Sequence, residues 1–366
     1  MLKNPHYHRN MHFKSIWIKL ILYILSAAAL TGCESVSYYT HAISGQITIL
    51  NKRQPINQLL NETDISEKLK ERLRLVLEIR EFAESELRLP VKGQYTSFVD
   101  LERPYAVWNV YAAPEFSFAP KTWCHPVIGC TSYKGYFSNK DAHNYADRLR
   151  KQGYDVFISS VVAYSTLGWI DDPVLNTFIY RNDIKLAALI FHELAHQLLY
   201  VENDTTFNES FATLVEQEGL RLWLIQRGNP GAFNIYTTDY RRRQQFIQLV
   251  MKYRNQLERL YSKNISVADK RNGKALVFDK LKDEYRRLKM EWQGYSGYDI
   301  WFGHQLNNAQ MITVSIYNDF VSTFRKILQD SGYDFELFYN KCQDLAKKSK
   351  EERHIYLKKL SILFEL

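Results

Sequence analysis

The chain has 366 residues, 46% of them hydrophobic and 14% aromatic, which excludes a disordered polypeptide and leaves room for one large domain or two. Its formal charge of +8 overstates how basic it is. The first 32 residues hold Lys3, Arg9, Lys14 and Lys19 and no acid, leaving 44 basic against 40 acidic residues. With no basic run and no Gly-rich phosphate loop, the composition argues against a nucleic-acid partner.

Residues 1–32 read as a lipoprotein signal peptide. Basic residues precede the apolar run 16–30, which is short for a membrane span and suited to a secretory signal. The run ends in Leu30-Thr31-Gly32-Cys33, which matches the lipobox of bacterial lipoproteins. Cys33 is then the lipidated first residue, and the lipid ties the chain to a membrane. Glu34, rather than Asp, follows it and favours the outer membrane, facing the periplasm. An ordinary signal peptide or an uncleaved anchor is the alternative.

Residues 33–61 read as an exposed, membrane-proximal lead-in ending in a turn at Pro55. A helix is predicted from Thr63-Asp64 to about Leu89, with Leu69, Leu73, Leu75, Val76, Ile79 and Phe82 on its apolar positions. Strands follow at 105–111 and 133–137, then a helix at 139–152 and a buried strand at 155–164. Gly168-Trp169 with Asp171-Asp172-Pro173 marks a turn or a sheet edge. From Ile184 the pattern is helical. Two helices span the region up to Gln226, the second beginning near Asn208. After Gly228-Asn229-Pro230-Gly231, further helices are predicted at 238–263, 269–291, 307–331 and 334–361. The predicted class is α+β: a zincin-like catalytic region over 62–230, built from a small mixed sheet and metal-bearing helices. A helical part over 231–366 follows, either separate or within the same domain.

Cys124 and Cys130 bracket a short loop, and in an oxidising envelope a disulfide closes it. A zinc site that includes His125 is the rival. Cys342 reads as a buried helical thiol.

The chemistry concentrates in His192-Glu193-Leu194-Ala195-His196. Residues i and i+4 share a helix face, so both imidazoles can reach one ion while Glu193 stands beside it as a base. A catalytic zinc needs a third protein ligand and a position left for water. The extended third-histidine motif fails, because Leu199 and Asn203 stand where it needs Gly and His. Glu209, on the next helix, is the alternative. Glu216, two turns later, is placed to accept a hydrogen bond from a ligating histidine, with Asp204 as competitor. Glu202 and Glu218 read as solvated carboxylates.

The segment 191–218, FHELAHQLLYVENDTTFNESFATLVEQE, resembles a bacterial, lipoprotein-like zinc aminopeptidase family. So do Ala112 to Ser117, the two-Cys segment, Tyr164 to Trp169 with Asp171-Asp172-Pro173, and Leu306-Asn307-Asn308-Ala309. The resemblance spans nearly all the mature chain. It implies a gluzincin-type peptidase with one Zn2+ held by His192, His196 and Glu209, and Glu193 as catalytic base. A second donor must face the oxyanion; Tyr298, His304 and Tyr317 are the candidates. An aminopeptidase also needs an acid for the substrate amine, for which Glu115 is the candidate, followed by Asp171 and Asp172. Gly168-Trp169 is either a peptide-pairing edge or a packed turn. The competing functions are an envelope endopeptidase and a non-catalytic scaffold or chaperone-like lipoprotein with a structural metal site.

Overall fold

The computed structural model describes residues 38, 40, 41, 43–125, 129–163, 170–314 and 320–362. The expectations for the signal segment, Cys33, Gly168, Trp169 and Tyr317 lie outside these residues. The chain divides into two compact units, 1–52 and 53–366. In the first, residues 43–51 are helical, an element not anticipated within the exposed lead-in.

In the second unit the elements are β1 (Gln54–Pro55), α1 (Glu67–Ser85), β2 (Ser97–Val99), β3 (Val107–Pro114), β4 (Trp123–His125), β5 (Gly129–Thr131), β6 (Lys134–Tyr136), α2 (Asn139–Lys151), β7 (Tyr154–Val161), β8 (Val174–Leu175), α3 (Asp183–Leu198), α4 (Thr205–Gln226), α5 (Phe233–Tyr261), α6 (Val267–Glu291), α7 (Val321–Gln329), α8 (Phe335–Ala346) and α9 (Lys350–Ile362). Single helical turns stand at Ile56–Leu59, Asn176–Ile179, Asp299–Phe302 and Asn308–Met311. The class is α+β. No described helix is long and apolar enough to cross a membrane.

Two three-stranded sheets and a hairpin are present among the described residues. In the first sheet β2 pairs antiparallel with β1 and parallel with β8. Pro55 sits on its edge, where a missing N–H costs little. The lead-in is not exposed to its end, because Ile56 and Leu59 are fully buried. The second sheet has the antiparallel order β6-β3-β7. Alternate residues of β3 (Trp108, Val110, Ala112) meet Ala142, Ala146 and Leu149 of α2 in one core, as period-2 burial requires. Cys124 and Cys130 face each other across the β4–β5 hairpin and form a disulfide. Cys342 is a buried free thiol in α8.

Several boundaries moved for local reasons. The first long helix starts at Glu67, not near 63, because Ser66 caps it through the Leu69 N–H at 3.3 Å. The helix predicted over 307–331 is interrupted: Asn307 caps a single turn at 308–311, and α7 begins only at Val321. The helix predicted over 334–361 splits in two. Ser349 and Glu352 form a reciprocal capping box there, Ser349 N donating to Glu352 at 3.0 Å and Glu352 N to Ser349 Oγ at 3.3 Å.

The helices after residue 230 share a core with α4. Phe324 of α7 lies edge-on to Phe207 and Phe211 of α4, and Phe211 stacks on Phe338 of α8. Helices α5 and α6 bury a second aromatic core, which includes Tyr253, Phe278 and Tyr285.

Candidate metal centre

Helix α3 is apolar on the positions that meet its neighbours: Leu186, Ala187, Ile190, Phe191, Leu194 and Ala195 are all fully buried. Asn182 starts it by accepting the Lys185 N–H at 2.8 Å. Helix α4 follows after a short loop. Asn203 turns that loop with φ of 61°, a left-handed conformation that Asn tolerates. The Asn208 side chain closes the loop with two 2.8 Å bonds to the Val201 N–H and C=O. At Gly219 the helices approach so closely that a Cβ would stand 2.6 Å from Leu87 and 3.1 Å from Phe191.

This close pairing brings His192, His196 and Glu209 together. The two Nε2 atoms are 3.2 Å apart. Glu209 Oε2 lies 3.4 Å from His192 Nε2, and Glu209 Oε1 lies 3.6 Å from His196 Nε2. An ion bound by nitrogen at about 2.0–2.1 Å in tetrahedral geometry separates its ligand atoms by about 3.3 Å. The residues therefore fit a small divalent cation with an open fourth position.

The opposite edge of His192 is fixed. Its Nδ1 donates to Glu216 Oε2 at 2.9 Å, and Tyr236 donates to Glu216 Oε1 at 2.7 Å. This bond keeps a proton on Nδ1, so that an ion displacing the Nε2 proton would meet a lone pair pointing into the cluster. The His196 Nδ1 is buried without a protein partner among the described residues.

The electrostatics favour a cation. Burial lowers the affinity of His192 for a proton, but Glu209 and Glu216 outweigh it and hold the imidazole up to about 10. Burial and the neighbouring His192 push His196 down to about 4. Burial also raises Glu193, and Glu209, Asp172 and Glu216 add to that rise against the pull of His192. Burial raises Glu209 less than the two histidines and Arg243 lower it, so it stays below its usual range. Three carboxylates, Glu193, Glu209 and Glu216, thus act on the imidazoles in a partly buried space, an imbalance that a divalent ion would relieve.

The other expected residues fall elsewhere. Asp204 does not hold a histidine of the cluster. It caps α4 through the Phe207 N–H at 3.3 Å and binds Arg353 at 2.7 and 2.9 Å and His354 at 2.8 Å. Glu218 is not solvated: it is 3% exposed and paired with Arg221 and Arg325. Glu115 is engaged by Arg271 at 2.6 and 2.9 Å and lines a separate cavity together with His304. Tyr298 stacks on Phe246 at 4.1 Å in the aromatic core. Asp171 is exposed, while Asp172 is 5% exposed and its charge reaches Glu193.

Three residues at the site went unnoticed in the sequence. Tyr236 comes from the first turns of α5. Tyr95 is buried, and its hydroxyl is driven up by burial and by Glu193 and Asp172. Tyr200 sets its ring edge-on to His196 at 6.1 Å and is raised by burial and Glu209. Only Tyr200 carried a signal, lying four residues after His196 and just beyond the end of α3.

Fold and site together define an α+β protein in which two helices present a His–His–Glu cluster able to hold a divalent ion. A family model described as "Putative aminopeptidase" matches residues 37–357. The chain belongs to that family, and membership points to a peptidase with a peptide substrate. No curated protein and no solved structure matches it.

Proposed function

We propose that the protein is a zinc-dependent aminopeptidase of the cell envelope, exported and lipid-anchored at Cys33. The observation that carries the hydrolytic reading is the triangle of His192 Nε2, His196 Nε2 and Glu209, with edges of 3.2–3.6 Å, beside a buried Glu193. His192, His196 and Glu209 would hold Zn2+, and the bound ion supplies Lewis acidity that makes water acidic near neutral pH and polarises a carbonyl. Glu193, raised by burial, takes the proton of the attacking water and returns it to the leaving amine. Glu216 and Tyr236 keep His192 in the tautomer that offers Nε2. Tyr200, half-exposed with its ring edge-on to His196 and its hydroxyl raised by burial and Glu209, is the donor suited to the developing oxyanion. Asp172, whose charge reaches Glu193, is the carboxylate suited to the substrate amine, whereas Glu115 lines a cavity that contains none of the cluster residues.

Glu193→Gln tests the mechanism. The variant keeps stoichiometric zinc and loses peptide hydrolysis by at least a hundredfold, read on matched peptides with free and acetylated N-termini. Unchanged turnover refutes it, and equal wild-type cleavage of both peptides refutes the aminopeptidase assignment. Cys33→Ser shifts the protein from the membrane to the soluble fraction; a variant that stays membrane-bound refutes the anchor.

A further inference from the structure

Tyr95 is 6% exposed, and its hydroxyl makes no hydrogen bond among the described residues. The hydroxyl is not sealed in, so the small exposed part of the residue includes it. A buried phenol without a partner costs stability, and the chain also strains its backbone to present this one. Tyr95 has a φ of 57°, left-handed for a bulky aromatic residue, and Lys92 precedes it at 32°. Such conformations persist only where the surroundings over-determine them, and they gather at ligand sites.

The surroundings do so here. The Tyr95 N–H donates to the Asp172 carbonyl at 2.8 Å, and the Asp172 N–H donates to Gln94 Oε1 at 2.7 Å. Arg80 holds the Gln94 and Lys92 carbonyls at 2.5 and 2.9 Å. Just downstream β2 and β8 pair in parallel, with Phe98 opposite Val174. The latch and the sheet thus fix Tyr95 beside Asp172, and one helical turn at Asn176–Ile179 leads from β8 towards α3, which carries Glu193. The charges of Glu193 and Asp172 both act on the Tyr95 hydroxyl, and that of Asp172 acts on Glu193. The three groups therefore share one space next to the His–His–Glu cluster. Two carboxylates make its potential negative, which disfavours an oxyanion there and favours a cation. The phenol, raised first by burial and then by those charges, stays protonated. A neutral phenol is a poor ligand for a second metal ion but accepts an N–H readily.

We infer that the Tyr95 hydroxyl, together with Asp172, receives the α-ammonium group of the substrate, so that Tyr95 selects peptides with a free N-terminus. The phenol oxygen accepts one ammonium N–H, and Asp172 supplies the opposite charge. This role for Tyr95 rests on the proposed peptidase reading and adds a recognition group to it.

The test incubates the Zn2+-loaded mature chain with X-Ala-Ala-amide tripeptides, X varied over the common amino acids. The member cleaved fastest becomes the probe, and its acetylated form the control. Affinity for both is then measured on Glu193→Gln, with and without Tyr95→Phe. Removing the hydroxyl is expected to weaken the free probe about tenfold, the low end for a hydrogen bond to a charged partner, and to leave the acetylated form within about twofold. In the active enzyme Tyr95→Phe raises KM by a similar factor and leaves kcat nearly unchanged. Because the deleted hydroxyl has no partner among the described residues, the melting temperature holds or rises, whereas loss of a structural bond would lower it. Cleavage of no tripeptide sinks the peptidase reading and the role of Tyr95 with it. Once cleavage is seen, that role alone is overturned by a wild type that binds both forms equally, by an unchanged preference in Tyr95→Phe, by an equal loss for both forms, or by a lowered melting temperature.

Discussion

Tyr236 is the least predictable member of the candidate metal centre and the most informative to remove. Tyr236→Phe deletes one hydroxyl and leaves the ring, which stacks between Phe233 and Tyr240 at 5.7 and 6.4 Å. The lost bond is the 2.7 Å donation to Glu216 Oε1, on a carboxylate whose other oxygen holds His192 at 2.9 Å. A hydrogen bond to a charged acceptor contributes about 1.5–3 kcal/mol net. If all of that loss fell on the metal-bound state, affinity would drop about 10–100-fold, the range found when outer partners of ligating histidines are removed. The Glu216 side chain is 17% exposed, so water recovers part of the bond in both states, and about tenfold is the expected loss. Competition for Zn2+ against a chromophoric chelator reads it, with the melting temperature of the metal-free protein as the control for folding. Affinity within twofold of wild type, at unchanged melting, would refute the claim that Glu216 and Tyr236 orient His192.

Asp204→Ala leaves the Arg353 guanidinium buried without its partner, in a pair whose side chains are 3% and 0% exposed. A destabilisation of about 3–5 kcal/mol is expected, measured by urea unfolding, and a change below 1 kcal/mol would contradict the assigned role. Burial alone would raise the Asp204 carboxyl, but His354, Arg353 and the Phe207 N–H hold it below its usual range. Its stabilisation is therefore complete above the unfolded value of about 3.9 and is lost as the pH falls through the lower folded value. In Asp204→Ala the acid limb of the stability profile should flatten. Asp172→Asn should erase the preference for free over acetylated N-termini while retaining zinc; a preserved preference would remove Asp172 as the amine-binding acid.

Much of the site was legible because it is local. His192, Glu193 and His196 are fixed by helical spacing alone, and Glu209 by the distance needed for a loop and a new helix. Glu216 followed from the same periodicity, and its approach to His192 needs nothing beyond α3 and α4. Apart from Tyr200, what escaped notice comes from distant parts of the chain. Tyr236 reaches the site only because α5 folds back across α4, and Tyr95 only because its N–H bonds the Asp172 carbonyl at 2.8 Å, beside the β2–β8 pairing. Asp204 was misread because an aspartate before a helix satisfies two patterns, a cap and a histidine partner. The N-cap preference alone would have chosen correctly. Glu218 was taken as solvated because its partners include Arg325, more than a hundred residues away. The split at 347–349 was readable, since Ser349 and Glu352 have capping-box spacing.

The first turns of α4 explain why a glutamate there can serve as a ligand. Asn208, Glu209 and Ser210 are consecutive, so their side chains leave the helix about 100° apart. Asn208 turns back to clamp Val201, and Ser210, fully buried, accepts the Phe320 N–H at 3.2 Å. Both neighbours of Glu209 are thus committed to backbone groups on different sides of the helix, which fixes its rotation about its own axis. Phe207 and Phe211, both fully buried, anchor the same turns against Phe324, so the helix cannot roll without opening that core. Gly219 then lets α3 approach, since a Cβ there would stand 3.1 Å from Phe191. Glu209 is thereby held 3.4 and 3.6 Å from His192 and His196 by groups that lie outside the cluster.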